Sequence, residues 1–387
     1  MTQFNYYMPS RILFGKGKLN EFINYLPGKK ALIVTSAGPS MRKYGYLGRV
    51  EELLTKANVP YVIFDKILPN PIKVHIMEGA ALAKKNNCDF VIGLGGGSSI
   101  DASKSIAVMT TNPGDYWDYI SGGSGKGLPV PHAPLPIVAI TTTAGTGTEA
   151  DPWTVVTKEE TNEKIGFGYA GTFPTLSVVD PDLMMSVPSH LTAYQGFDAL
   201  FHATEGYIAN IATPVSDMYA LKSIELIGKY LATAVNDGSN EEARAMVALA
   251  NTLSGFVEST SSCISEHSLE HALSAHHPEL AHGAGLIMIS KEYYTFFAEK
   301  GTEKMVDMAK ALGVKEAKEP MDFVRALVDL QKSCHVADLK MSDYNVDKDN
   351  FEKYAENARH TMGGLFNFDP SPISPEDAAG ILARSYN

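Results

Sequence analysis

The sequence predicts a parallel α/β domain over residues 1–185 followed by an all-helical domain over 186–387. Three observations predict it. Short apolar runs alternate with amphipathic stretches through the first half. Two glycine-rich turns each follow a predicted strand. The strand signal then fades near DPDLMMSVPSH (180–190), and histidines concentrate beyond it.

KALIVTS (30–36), PYVIFD (60–65), DFVIGLGGG (89–97) and LPIVAITTT (135–143) are short and rich in Val and Ile, as buried strands are. Between them, 41–57, 74–86 and 98–111 have helical patterning. Strand and helix alternating at this spacing indicate a parallel sheet covered by helices. Segment 112–134, rich in Gly, Pro and Ser, is expected to be a surface excursion, and 153–157 with 164–170 a hairpin. Pro188 and Ser189 are suited to a helix entry. Helical patterns then cover 191–209, 215–234, 240–261, 264–275, 283–298, 302–312 and 319–332. No internal repeat or low-complexity tract is apparent.

Composition narrows the class. The chain has 387 residues, 44% hydrophobic and 20% charged, which fits a globular protein of two or three domains. With 33 basic against 44 acidic residues, the net charge is −11 and no basic block stands out. Nucleic acid and anionic membranes are therefore disfavoured partners. Three scattered cysteines without metal-like spacing fit a reducing cytoplasm. The opening residues lack a signal-peptide core, and no run of eighteen apolar residues occurs. A soluble cytoplasmic protein is expected, forming a homo-oligomer of two or more chains.

The turn GLGGGSSIDASK (93–104) leads from a strand into a helix. Glycines let backbone amides approach an anion, and the helix start directs its free N–H groups at it, so a pyrophosphate is the natural guest. The alternative is a tight turn that binds nothing. It is neither GxGxxG after the first strand nor GxxxxGK[ST]. TTTAGTGTEAD (141–151) again follows a strand and suits the rim of a ligand cleft.

Asp198 with His202, and His267 with His271, lie four apart on predicted helices, and His282 follows. Residues at that spacing share one helix face. Two such helices could aim a carboxylate and two or three imidazoles at one point, a donor set that suits zinc or ferrous iron better than calcium or magnesium. Taken singly, either pair could be an ordinary hydrogen bond. Six of the eleven histidines fall between 202 and 282, five of them within sixteen residues, and a solvated face would carry Lys and Glu instead.

Taken in order, FGKGKL (14–19), GGGSSIDASK, TTAGTGTE, VDPDL, GFDALFHATEGY, the HSLEHAL…AHG run and SPISPEDAAGIL (371–382) resemble the iron-containing, group III alcohol dehydrogenases. The resemblance spans nearly the whole chain. It implies a Rossmann-like domain for NAD(P) and a helical metal-binding domain, the dehydroquinate synthase-like architecture. It implies Asp198, His202, His267 and His282 as ligands of Fe2+ or Zn2+, and His271 as the catalytic histidine near the substrate. It places Ser36, Asn70, Gly96, Gly97, Ser98, Asp101, Thr142, Thr143, Thr146 and Lys164 at the cofactor. The reaction implied is hydride transfer between NAD(P)(H) and a small alcohol or aldehyde.

Three departures from the family pattern stand out. The stretch from His267 to His282 is one residue longer and ends in AHG rather than PHG, which leaves His276 and His277 open as ligands. QGFDAL replaces TGMDAL. Ser36 stands where NAD-preferring members often carry an aspartate; without that carboxylate a 2′-phosphate is not repelled, and Ser40, Arg42 or Lys43 could pair with it, so NADP is expected to be preferred. The rival readings are a glycerol-dehydrogenase-like polyol oxidoreductase, an elimination enzyme like dehydroquinate synthase, a nucleotide-dependent metallohydrolase and a non-catalytic nucleotide-binding protein.

Overall fold

A computed structural model describes residues 3–386. The first part contains β1 (Arg11–Phe14), β2 (Ala31–Ser36), α1 (Ser40–Lys43), α2 (Tyr46–Lys56), β3 (Tyr61–Ile67), α3 (Lys73–Lys85), β4 (Phe90–Gly95), α4 (Gly97–Thr111), β5 (Ile137–Thr141), β6 (Thr154–Lys158), β7 (Glu163–Phe167) and β8 (Leu176–Val179). Six strands form one parallel sheet in the order β1-β8-β5-β4-β2-β3. The chain steps outward from β2 to β3 and then returns to the other side of β2 for β4. The sheet's switch point therefore lies between β2 and β4, where open α/β sheets bind ligands at their carboxyl ends.

β4 and β5 are buried throughout, as the Val- and Ile-rich runs demand. The hairpin β6–β7 is antiparallel, with Val156 opposite Ile165. Two four-residue strands, β1 and β8, escape the sequence pattern because they are too short to set a period. The predicted helix 41–57 is broken at Gly45, which takes a left-handed φ of 74°. Segment 112–134 is a surface excursion only in part: residues 121–134 lie at the surface as expected, whereas Tyr116, Trp117, Tyr119 and Ile120 are buried. Trp117 Nε1 donates to Glu163 at 3.2 Å, and the Tyr116 ring meets Phe167 edge-on, so the hairpin covers this stretch. Two quoted motifs are tied structurally, since Asp180 of VDPDL accepts from the amides of Gly17 and Leu19 in FGKGKL.

The second part is helical: α5 (Ser189–Ile208), α6 (Pro214–Asn236), α7 (Glu241–Thr260), α8 (Ser265–His276), α9 (His282–Glu299), α10 (Lys304–Ala311), α11 (Met321–Ser333), α12 (Phe351–Met362) and α13 (Pro375–Arg384). α5 and α8 are buried on all sides along most of their length, which makes them core helices rather than amphipathic covers. The chain divides into two compact units, 8–143 with 148–186, and 3–7 with 144–147 and 187–386. Residues 144–147, separated from β5 by Thr142 and Thr143, thus group with the helices. Gly147 N donates to Asn251 on α7 at 2.9 Å, and Ala144 N to Gln195 on α5.

Candidate active site

In the helical unit, Asp198, His202 and Glu205 occupy one face of α5 at i, i+4 and i+7. His267, Glu270 and His271 lie on the first turns of α8, and His282 opens α9. Gly283, next to it, is required by packing: a Cβ there would lie 2.2 Å from the Tyr194 carbonyl oxygen on α5. That close approach brings the start of α9 up to the helix bearing Asp198.

The Nε2 atoms of His202, His267 and His282 stand 3.8, 3.6 and 3.5 Å from Asp198 Oδ1. Those separations are too long for hydrogen bonds, and Asp198 Oδ1 and His267 Nε2 are buried without a hydrogen-bond partner. Donors held about 2.1 Å from a tetrahedral ion would lie roughly 3.4 Å from each other. The residues present therefore fit a divalent ion, which would give the orphaned Asp198 Oδ1 a partner. Burial pushes the Asp198 carboxyl up, but the imidazoles of His202, His282 and His267 outweigh it and hold the group well below the usual carboxylate range. Burial, opposed by the Asp198 carboxylate, lowers His202 to about 3.

Each imidazole is oriented through its other nitrogen. His267 Nδ1 is hydrogen-bonded to Glu205, His282 Nδ1 to Glu270, and His202 Nδ1 to the Gly145 carbonyl at 3.2 Å. Such partners fix the ring and its tautomer, leaving Nε2 toward the shared point. Glu205 and Glu270 were not singled out from sequence. Their signal was available as carboxylates on the same helix faces, seven residues after Asp198 and three after His267.

His271 is buried and its ring lies 5.2 Å from that of His282, with Nδ1 at 2.9 Å from Met362 Sδ. His276 and His277 point elsewhere. His276 Nδ1 meets the Ala272 carbonyl and His277 Nε2 meets the Tyr354 hydroxyl, each at 2.9 Å. His282, not these two, lies beside Asp198.

In the α/β unit, Gly95 takes a φ of +146°, open to glycine, and the chain passes through Gly96 into Gly97, the first residue of α4. A Cβ on Gly96 would meet Thr143, and Thr142 N donates to Gly95 O, so the turns after β4 and β5 are adjacent. The Ser98 hydroxyl donates to the Pro69 carbonyl, next to half-buried Asn70. Ser36 ends β2. This places Ser36, Asn70, Gly96, Gly97, Ser98, Thr142 and Thr143 around the switch point. Thr146 belongs to the piece grouped with the helices. Asp101 turns inward, accepting from Thr148 Oγ1 and Val155 N, and Lys164 is buried in β7. Arg42 is ion-paired with Asp65 at 2.9 Å on an exposed face.

A parallel sheet with a glycine turn at its switch point, followed by helices that gather one aspartate and three histidines, defines a class of metal-dependent oxidoreductase. The chain belongs to the iron-containing alcohol dehydrogenase family: residues 9–181 match that family's model, and 192–386 its C-terminal region. It is an oxidoreductase acting on the CH–OH group of alcohols or on the corresponding aldehydes. It is 31% identical to alcohol dehydrogenase 4 of Saccharomyces cerevisiae over 386 residues, 98% of both chains. It is 34% identical to the NAD-dependent methanol dehydrogenase of Bacillus methanolicus, over 80% of each chain. The crystal structure of an archaeal halo-thermophilic alcohol dehydrogenase from a Red Sea brine pool superposes with a TM-score of 0.94 at 33% identity. That match covers 100% of this chain and 99% of the other. Among the described residues, no helix is long and apolar enough to cross a membrane.

Proposed function

We propose that Asp198, His202, His267 and His282 hold one divalent ion, ferrous iron or zinc, and that the protein transfers a hydride between a small alcohol or aldehyde and a nicotinamide dinucleotide. The observation that carries this reading is the orphaned Asp198 Oδ1, facing three imidazole Nε2 atoms at 3.5–3.8 Å. A bound ion there supplies Lewis acidity toward the alcohol or carbonyl oxygen, and the dinucleotide supplies or accepts the hydride.

The chain's own residues do the rest. Glu205, Glu270 and the Gly145 carbonyl hold the three rings, so the site needs no rearrangement to present its donors. His282 is 23% exposed at its side chain whereas Asp198, His202 and His267 are 4–6% exposed, so the substrate enters on the His282 flank. His271 sits on that flank and takes the proton of the alcohol, or returns it. The amides at Gly96, Gly97 and Ser98 receive the pyrophosphate, while Ser36, Asn70, Thr142 and Thr143 receive other parts of the dinucleotide.

The NADP form is preferred in this reading. Ser36 offers no carboxylate to repel a 2′-phosphate, and Arg42 gives up only an exposed ion pair, worth about 0–1 kcal/mol, to reach one. The protein works in the reducing cytoplasm, which its three free cysteines suit. It works as a homo-oligomer, with exposed Phe4, Tyr7 and Met218 as apolar surface available for burial.

The test is a panel of alcohols and aldehydes, with NAD(H) and NADP(H), on protein reconstituted with iron(II) or zinc. Nicotinamide absorbance should change only in metal-loaded protein. A hydrolase would leave it constant. In His271→Gln, turnover should fall by ~10²–10⁴-fold with metal content and cofactor affinity kept. Wild-type turnover with an unaltered pH profile would remove His271 from the proton path.

A further inference from the structure

The connection between α7 and α8 places a thiol beside the histidine cluster. Cys263 Sγ, a nitrogen of His202 and a nitrogen of His267 all lie within 4.8 Å of one another. Cys263 Sγ is 3.6 Å from Glu258 Oε2, and Glu258 Oε1 is 3.7 Å from His202 Nε2. His267 Nε2, in a residue only 3% exposed, has no hydrogen-bond partner. None of the family markers in the sequence reaches Cys263 or Glu258.

These four residues have the donor chemistry of a closed zinc site: two imidazoles, a thiolate and a carboxylate. Zinc holds nitrogen and oxygen at about 2.0–2.2 Å and sulfur at about 2.3 Å in a tetrahedron. Donor atoms around such an ion stand roughly 3.3–3.7 Å apart, and the Glu258 carboxylate approaches Cys263 through Oε2 and His202 through Oε1 at such distances. Hardness then separates this set from its neighbour. Asp198 and His282 add a carboxylate and an imidazole, whereas Cys263 adds a soft sulfur that favours zinc over ferrous iron.

We propose that Cys263 and Glu258, with His202 and His267, form a second, thiolate-containing metal position that takes zinc. The inference rests on the reading that His202 and His267 are metal ligands. The two positions share both imidazoles, so a chain holds an ion in one or the other. Zinc binding at the second position replaces the S–H bond by a Zn–S bond and releases the thiol proton to solvent, with no change of oxidation state. The soft sulfur of the second position and the harder carboxylate–imidazole set of the first let the choice of ion set which position is filled.

The experiment is zinc-edge X-ray absorption on full-length protein loaded with one equivalent of zinc, alongside Cys263→Ser and Cys263→Ala. The wild type should show one sulfur neighbour at about 2.3 Å, lost in both variants while zinc stays stoichiometric through the Asp198 set. Stoichiometric zinc with only nitrogen and oxygen neighbours in the wild type overturns the second position and leaves the four-residue Asp–His reading standing. A sulfur neighbour that persists in both variants overturns it equally. Failure of the wild type to hold zinc or iron at all removes the Asp–His reading, and this inference with it.

Discussion

Lys104 and Asp198 are two deeply buried charges, one in each unit, and they are treated in opposite ways. Lys104 is fully buried, and its ammonium donates to Thr148 Oγ1, the Asp151 carbonyl and carboxylate, and the Trp153 carbonyl. Every N–H is used, and Asp101 completes the network from the other side of Thr148. Asp198 is surrounded by imidazoles yet leaves Oδ1 without a donor. The first charge is spent on the fold: it ties α4 to the segment entering β6. The second keeps Oδ1 free of hydrogen bonds among donors that fit a divalent cation, and its neighbours Glu205 and Glu270 hold the rings of His267 and His282.

The comparison breaks most clearly on stability. Lys104→Met strips one partner from a buried network and leaves Asp151 uncompensated, so unfolding free energy should drop by about 3–5 kcal/mol in denaturant titrations. Asp198→Asn in metal-free protein should cost far less, because Oδ1 makes no hydrogen bond that the substitution would break. Equal losses in both variants would erase the distinction between the two charges.

Next in size is Glu270→Gln. It keeps the shape beside His282 but removes the charge that orients the ring, and metal affinity should weaken about 10–100-fold in a competition titration with a chelator. Unchanged affinity would reduce Glu270 to packing. Ser36→Asp probes the other unit, where it should lower the ratio of kcat/KM with NADP to that with NAD and leave metal content alone. A wild type already strongly selective for NAD contradicts the Ser36 argument.

The smallest effect concerns Asp369, whose Oδ1 accepts from the Ser265 amide and hydroxyl at the start of α8. Burial raises it from 3.8 to about 7, against those two hydrogen bonds. The fold thus favours its protonated form. That contribution is complete below the ordinary value of 3.8 and is lost as pH rises through about 7. Asp369→Asn should flatten the fall in Tm across that window, read by scanning calorimetry; an unaltered slope would place the pH dependence elsewhere.

Much of this was legible in the sequence because it depends on local period. The four longer parallel strands, the hairpin and the helices from 191 to 332 follow from apolar spacing, and the i,i+4 pairs brought Asp198, His202 and His267 forward. β1 and β8 were too short to show a period. α12 carries its buried face on Phe351, Tyr354, Ala355 and Ala358 amid charge, a weak stripe, while α13 did carry a Ser374–Asp377 capping box with Pro375 at its start. The inward turn of Asp101 and the placing of Glu258 and Cys263 beside His202 and His267 depend on which segments meet. No spacing along one segment encodes that.

The most direct measurement is metal content per chain, by mass spectrometry of protein reconstituted with iron(II) and freed of excess ion. Wild type and His277→Ala should each hold one ion. His202→Ala should hold almost none while keeping a wild-type far-ultraviolet circular dichroism spectrum. A full equivalent of iron in His202→Ala would contradict the account.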